Sequence, residues 1–128
     1  MGYKILFVDD DKEIAESIKD KLTKEGYDVI LAYDGQEALS KVKEADPDII
    51  LLDLMLPNLN GFEVLKEIRE KHNDRWRPVI IISAKNEFDS VKQCYNLQAD
   101  HYLVKPCKME DILQGIKIMI SLMPVRKQ

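Results

Sequence analysis

The chain has 128 residues, a formal charge of −4, and 45% hydrophobic and 33% charged residues. That is room for one core and too little for two ordinary domains, in a composition typical of globular proteins. The acidic balance excludes the basic footprint of direct nucleic-acid binding, and no apolar run reaches the length of a membrane span.

Taken in chain order, the residues alternate between two periodicities. YKILFV (3–8) is a short β-rich run. DKEIAESIKDKLTKEG (11–26) sets Ile14, Ile18 and Leu22 on one helical face, with Asp11 to cap its start and Gly26 after its end. YDVILA (27–32) is a second strand. DGQEALSKVKEA (34–45) opens with Asp34 and Glu37 at capping-box spacing and puts Ala38, Leu39 and Val42 inward. DIILLD (48–53) is a third strand, apolar enough to be buried on both faces, with Asp53 at its exit. NGFEVLKEIREKH (60–72) begins at a cap, Asn60, and carries an apolar stripe of Phe62, Leu65 and Ile68. RPVIIIS (77–83), a weaker helix NEFDSVKQCYNLQ (86–98), the strand DHYLVK (100–105) and the helix KMEDILQGIKIMISLM (108–123) complete the chain. The last helix turns Met109, Ile112, Leu113, Ile116, Met119, Ile120 and Met123 to one side and leaves Ile118 and Leu122 off that face.

Five strands alternating with five helices predict a three-layer α/β domain, a doubly wound parallel (βα)5 sheet. The whole chain, 1–128, reads as one domain with its core over about 3–123. In such a sheet, ligands sit at the carboxyl ends of the strands. The residues at those ends are Asp9 and Asp10, Asp53, Ser83 and Ala84, and Lys105 and Pro106. Three carboxylates and one lysine carry a formal −2, and carboxylates clustered without enough counter-charge repel one another, which a hard divalent cation relieves. Mg²⁺ with a phosphoryl group suits this set. Lys105 would neutralise a phosphoryl oxygen, Ser83 would donate to another, and Asp53 would act as a carboxylate nucleophile.

On these residues the chain resembles the receiver domains of two-component response regulators. VDDDKE (8–13) is similar to the family's acidic pair, and LLDLMLPNLNG (51–61) to its phosphoacceptor strand and loop. IISA (81–84) matches its hydroxyl position, and DHYLVKP (100–106) its switch aromatic, lysine and proline. The resemblance implies a flavodoxin-like strand order of 2-1-3-4-5. It implies that Asp53 receives a phosphoryl group from the phosphohistidine of a sensor histidine kinase or a phosphotransfer protein. Asp10, Asp53 and the backbone carbonyl of Met55 would hold Mg²⁺, or Mn²⁺ in its place, with Asp9 reaching it through water. Ser83, Ala84 and Lys105 would bind the phosphoryl group, with a cis bond before Pro106. Ser83 and Tyr102 would be the switch pair, Tyr102 turning inward. The surface of the fourth helix, fifth strand and fifth helix would then shift toward an output protein or domain. Met55 and Lys85 lie where the family tunes the attacking water. Met55 cannot orient water, so slow self-dephosphorylation is expected. The domain would be regulatory and not an enzyme beyond its own phosphoryl chemistry.

Gln98, Cys107 and the polar stretch REKHNDRWRP (69–78) depart from the family pattern and bear on partner surfaces. Other readings fare worse. A phosphoester phosphatase needs a general acid two residues beyond the nucleophile, where Met55 stands. A flavin carrier needs hydroxyls and glycines where DDDKE stands. A receiver that only binds partners would not need its acids and lysine intact. Ile118 and Leu122 point to an interface, either a homodimer through that same surface or an output partner. His72 and His101 are expected to be solvated, Cys94 and Cys107 to be small buried hydrophobes, and Trp76 to pack over the lower edge of the sheet. The cysteines fit neither a metal nor a redox spacing, so reduced thiols in a cytoplasmic protein, with no signal peptide and no membrane partner, are expected. The end of the chain soon after the last helix leaves open a single-domain regulator or a receiver from a longer protein.

Overall fold

Three of the five helices among the described residues begin where a short polar side chain can satisfy an orphan amide. Asp11 accepts from the Ile14 amide, Asp34 from Glu37 and Asn60 from Glu63, at 2.7 to 3.2 Å. Glu37 completes only half of the expected capping box. It reaches past the cap to accept from the Tyr33 amide at 2.8 Å. The computed structural model describes residues 2–85 and 87–124. Within it, β1 (Lys4–Val8), α1 (Lys12–Lys24), β2 (Asp28–Ala32), α2 (Gly35–Ala45), β3 (Ile49–Leu52), α3 (Gly61–Lys71), β4 (Val79–Ser83), α4 (Phe88–Asn96), β5 (His101–Val104) and α5 (Met109–Leu122) follow in turn. The strands form one parallel sheet in the order β2-β1-β3-β4-β5, the α/β architecture expected.

Each strand sends alternate side chains to opposite faces, which builds two cores. On one face Leu6, Ile50, Leu52 and Ile81 pack against Val42 of α2, Leu65 and Ile68 of α3 and Cys94 of α4. On the other, Ile5, Phe7, Leu51 and Ile82 pack against Leu22 of α1 and Ile112 and Ile116 of α5. All four residues of β3 are buried. Burial of an aliphatic side chain of this size stabilises by about 1.5–3 kcal/mol. The central strand therefore has no neutral position for a polar residue until it ends at Leu52, one residue before Asp53.

The structure corrects several expectations. Ile14 is on the helical face inferred for it, yet remains 42% exposed, because α1 turns Ala15 and Leu22 to the sheet. His72 and His101 are half-buried rather than solvated. His101 lies so close to α5 that a Cβ on Gly115 would come within 3.3 Å of its ring. Cys94 is buried, but Cys107 is only half-buried. The polar stretch before β4 is an ion network and not a plain loop. Arg77 is buried, bonding Asp46 at 2.8 Å, the Pro47 carbonyl at 2.9 Å and Asp74 at 2.9 Å. Arg69 binds Asp100 at 2.7 Å and the backbone carbonyls of Arg77 and Gln98. The Trp76 indole donates to Asp100 at 3.2 Å, and its ring stays partly in water.

Candidate functional site

Parallel register carries the polar strand ends to one edge. Val8 pairs with Leu52, Leu52 with Ile81, and Ser83 with Val104. The next residues, Asp9, Asp53 and Lys105, therefore come together although the chain separates Lys105 from Asp9 by 96 positions. The backbone fixes both acids: the Asp9 amide donates to the Ala32 carbonyl and the Asp53 amide to the Val8 carbonyl, each at 3.1 Å. The loop beyond Asp53 folds back tightly. The Gly61 amide donates to the Leu54 carbonyl at 3.0 Å, and a Cβ at Gly61 would lie 2.5 Å from the Asp53 carbonyl oxygen. Only glycine permits that approach.

Asp9 and Asp53 are nearly fully buried, and Asp10 is exposed. Each buried carboxylate divides its oxygens the same way. One oxygen of Asp53 accepts from the Met55 amide at 3.0 Å and the other from Lys105 Nζ at 2.8 Å. One oxygen of Asp9 accepts from the Asp11 amide at 2.9 Å and the other from Lys105 Nζ, also at 2.9 Å. Burial alone would pull the Lys105 ammonium down. The hydrogen bonds it donates to Asp53 and Asp9, with their charges, outweigh it and hold the pKa above the usual lysine value. Sequence reasoning assigned Lys105 to an incoming phosphoryl group. It missed that Lys105 bridges both acids meanwhile, and that Asp9 is the buried member of the acidic pair.

One oxygen from each of Asp9, Asp10 and Asp53 lies within 4.8 Å of the others. Three hard oxygen donors gathered this closely could hold a divalent cation, the rest of its shell being water or phosphate oxygen. The donor set therefore suits Mg²⁺ or Mn²⁺. Met55 turns its side chain outward, 55% exposed, and offers no acid or amide beside Asp53.

Ser83 ends β4 fully buried, and its hydroxyl accepts from the Lys85 amide at 3.3 Å. Ala84 follows it, exposed. The Tyr102 ring packs against the core that contains Ile81 and Cys94, and its hydroxyl donates to the Lys85 carbonyl. Burial pushes the Tyr102 phenol up, and a hydrogen bond with Ser83 partly opposes it. Ser83, Lys85 and Tyr102 thus form one connected group, with the tyrosine half-buried. The Lys105–Pro106 peptide bond is cis. No helix among the described residues is long and apolar enough to cross a membrane.

The model of the family described as response regulator receiver domain matches residues 5–117. Solved structures agree. The receiver domain of a Francisella response regulator is 34% identical, with a TM-score of 0.87 over 94% of this chain and 98% of that one. The chemotaxis protein CheY4 of Vibrio cholerae is 30% identical, with a TM-score of 0.86 over 92% and 98%. A two-component response regulator from Clostridium difficile is 30% identical, with a TM-score of 0.89 over 96% and 99%.

Proposed function

The chain belongs to the response regulator receiver domain family, and from that membership we propose that it is a phosphorylation-dependent switch with Asp53 as phosphoacceptor. The observation that carries this reading is the placement of Asp53. It stands at the exit of the central strand, held by Lys105 at 2.8 Å, with Asp9 and Asp10 beside it. The donor is the phosphohistidine of a sensor histidine kinase or phosphotransfer protein. The Asp53 carboxylate attacks phosphorus, the phosphorus–nitrogen bond breaks, and the imidazole leaves with the electron pair.

A divalent cation, when bound, neutralises charge on the transferring phosphoryl oxygens. Asp9, Asp10, Asp53 and the Met55 carbonyl are the groups that would hold it. Lys105 exchanges its bond to Asp53 for one to a phosphoryl oxygen while keeping Asp9. The Ser83 hydroxyl and Ala84 amide take the remaining oxygens. Ser83 leaves the Lys85 amide to do so, which couples the phosphoryl group to Tyr102 through Lys85. Phosphorylation then raises the share of molecules with Tyr102 inward and alters the face of α4, β5 and α5. Phe88, Tyr95, Val104, Ile118 and Leu122 are exposed on these elements, an apolar set suited to an output protein or domain or to a second copy. Met55 and Lys85 set the rate of self-dephosphorylation, which is slow because Met55 positions no water. The chemistry is confined to the protein's own phosphoryl group, so the domain, read as residues 1–128, is regulatory and works in the cytoplasm.

The test is intact mass after incubation with Mg²⁺ and acetyl phosphate, beside Asp53→Ala. One phosphoryl group on the wild type, absent from the variant and dependent on Mg²⁺, is expected. An equal gain on Asp53→Ala overturns the assignment.

A further inference from the structure

The polar run 69–78 and Gln98, which take no part in the phosphoryl chemistry, meet at one side chain. Arg69, near the end of α3, spends each guanidinium nitrogen on a different element. Nε donates to the Gln98 carbonyl at 3.0 Å, just past α4. Nη1 donates to the Arg77 carbonyl at 2.9 Å, before β4. Nη2 donates to Asp100 at 2.7 Å, before β5. Asp100 is fixed from two further sides, accepting from the Val79 amide at 2.8 Å and the Trp76 indole at 3.2 Å. Burial also falls off along α4 in one direction. Its one buried residue, Cys94, lies toward its C-terminal end, and buried Ala99 follows in the turn. At its start Phe88 and Asp89 are exposed, and the N-cap, Glu87, makes no side-chain cap bond. We propose that α4 is a lever pinned at its C-terminal end by Arg69, so that switching moves the start of α4 and leaves the turn from α4 into β5 in place.

The two ends of α4 differ in what a movement would break. At the turn, three hydrogen bonds from one guanidinium would have to go, and bonds from a charged donor are roughly twice as strong as neutral ones. The Arg69 and Asp100 side chains are only 14% and 21% exposed, so water replaces those partners poorly. The start of α4 has no comparable tie. Phe88 is 77% exposed there, and local opening is easiest where buried apolar contacts are few. The pull arrives at the same loose end. That step rests on the reading of Asp53 as phosphoacceptor: Ser83, drawn to the phosphoryl group, releases the Lys85 amide in the segment that leads into α4. A hinge needs a few residues at the end of an element that hold while the rest turns. Here the residues that hold are Gln98 to Asp100. Arg69 acts on them from α3, at the edge of the sheet opposite the acids, and is a positioning residue for the output face.

The experiment is amide hydrogen exchange of the full chain with Mg²⁺, with and without acetyl phosphate, while intact mass reports phosphorylation. The amides compared are Val91 and Lys92 near the start of α4, and Gln98, Ala99 and Asp100 in the turn, which are bonded to the Tyr95, Cys94 and Val79 carbonyls. In the wild type, phosphorylation should change exchange at 91–92 by roughly tenfold and at 98–100 by less than about twofold. In Arg69→Gln the change should spread to 98–100. Trp76→Phe removes one donor and keeps a ring, so it folds more safely and should give a smaller spread. Lost stability alone would speed exchange in both states alike, whereas a lost pin alters the difference between them. A wild-type response at 98–100 as large as that at 91–92 overturns the proposal, and so do variant responses as confined as the wild type's. If no phosphoryl group is gained, the Asp53 reading fails by itself. The pin is then read in the unphosphorylated protein, where Arg69→Gln should speed exchange at 98–100 by roughly tenfold and leave 91–92 within about twofold. Equal acceleration at both ends, or none, overturns it.

Discussion

Lys105 Nζ sits 2.8 Å from Asp53 Oδ2 and closes the same distance, within 0.1 Å, to Asp9. One ammonium thus offsets two buried carboxylates, while the third acid, Asp10, faces water. Three acids and one base leave a net negative site, and that imbalance sets the first prediction.

A divalent cation will stabilise the fold. Mg²⁺ at ten times its dissociation constant should add about 1.4 kcal/mol by mass action. Urea denaturation with Mg²⁺ and with EDTA measures this. In Asp10→Asn the gain should shrink to near zero, because one of three donors is lost. An unchanged gain would place the cation elsewhere.

Alkaline stability should depend on Lys105. Its pKa is raised above the ordinary 10.5, so the protonated form favours the folded state. The contribution is complete below 10.5 and is lost as pH rises through the higher folded value. Denaturant midpoints from pH 8 to 12 should therefore fall more steeply for the wild type than for Lys105→Met. Parallel curves would show that the ammonium adds nothing to folding.

Met55 should govern the lifetime of the acyl phosphate. Replacing its exposed side chain with Asn or Glu supplies a group that orients water beside Asp53, and hydrolysis should accelerate on the order of tenfold. Loss of the phosphoryl mass over time, after removal of donor, is the readout. A wild-type lifetime of only seconds would contradict the inference that methionine protects the bond.

Asp100 should be the costliest acid to remove outside the site. Its two oxygens accept from Arg69 at 2.7 Å, the Val79 amide at 2.8 Å and the Trp76 indole at 3.2 Å. Asp100→Ala strands three donors, one of them cationic, and should cost about 2–4 kcal/mol. Phosphorylation by acetyl phosphate should persist in the folded fraction, since the network lies at the opposite edge of the sheet. A loss below 1 kcal/mol, about the size of a single surface contact, would show the network to be decorative.

Gln98 should gain from substitution by glycine. It is an exposed residue with φ +71°, a left-handed conformation that costs a side-chain-bearing residue about 1–2 kcal/mol. Arg69 bonds its backbone carbonyl and not its side chain. Gln98→Gly keeps that bond and should stabilise by about 0.5–1 kcal/mol after the greater freedom of glycine when unfolded. Thermal or urea midpoints suffice, and a destabilised variant would mean that the Gln98 side chain contributes more than its conformation costs.

The sequence by itself determined the alternation of strands and helices, the three side-chain caps, and the arrival of Asp9, Asp53, Ser83 and Lys105 at strand ends. All of these follow from periodicity and from local chemistry within a few residues, which chain order preserves. Only the tertiary structure decided which acid is buried, that Lys105 spans Asp9 and Asp53, that Tyr102 bonds the Lys85 carbonyl, and that Arg77 is buried against Asp46 and Pro47. It also decided that Ile14, indistinguishable in its periodicity from Ile18 and Leu22, stays exposed. The reason is distance along the chain. Partners 17 to 96 positions apart meet only once strand order and crossover have placed them. Burial depends on how a helix is rotated against the sheet, a quantity that hydrophobic spacing leaves uncertain by a full side-chain position.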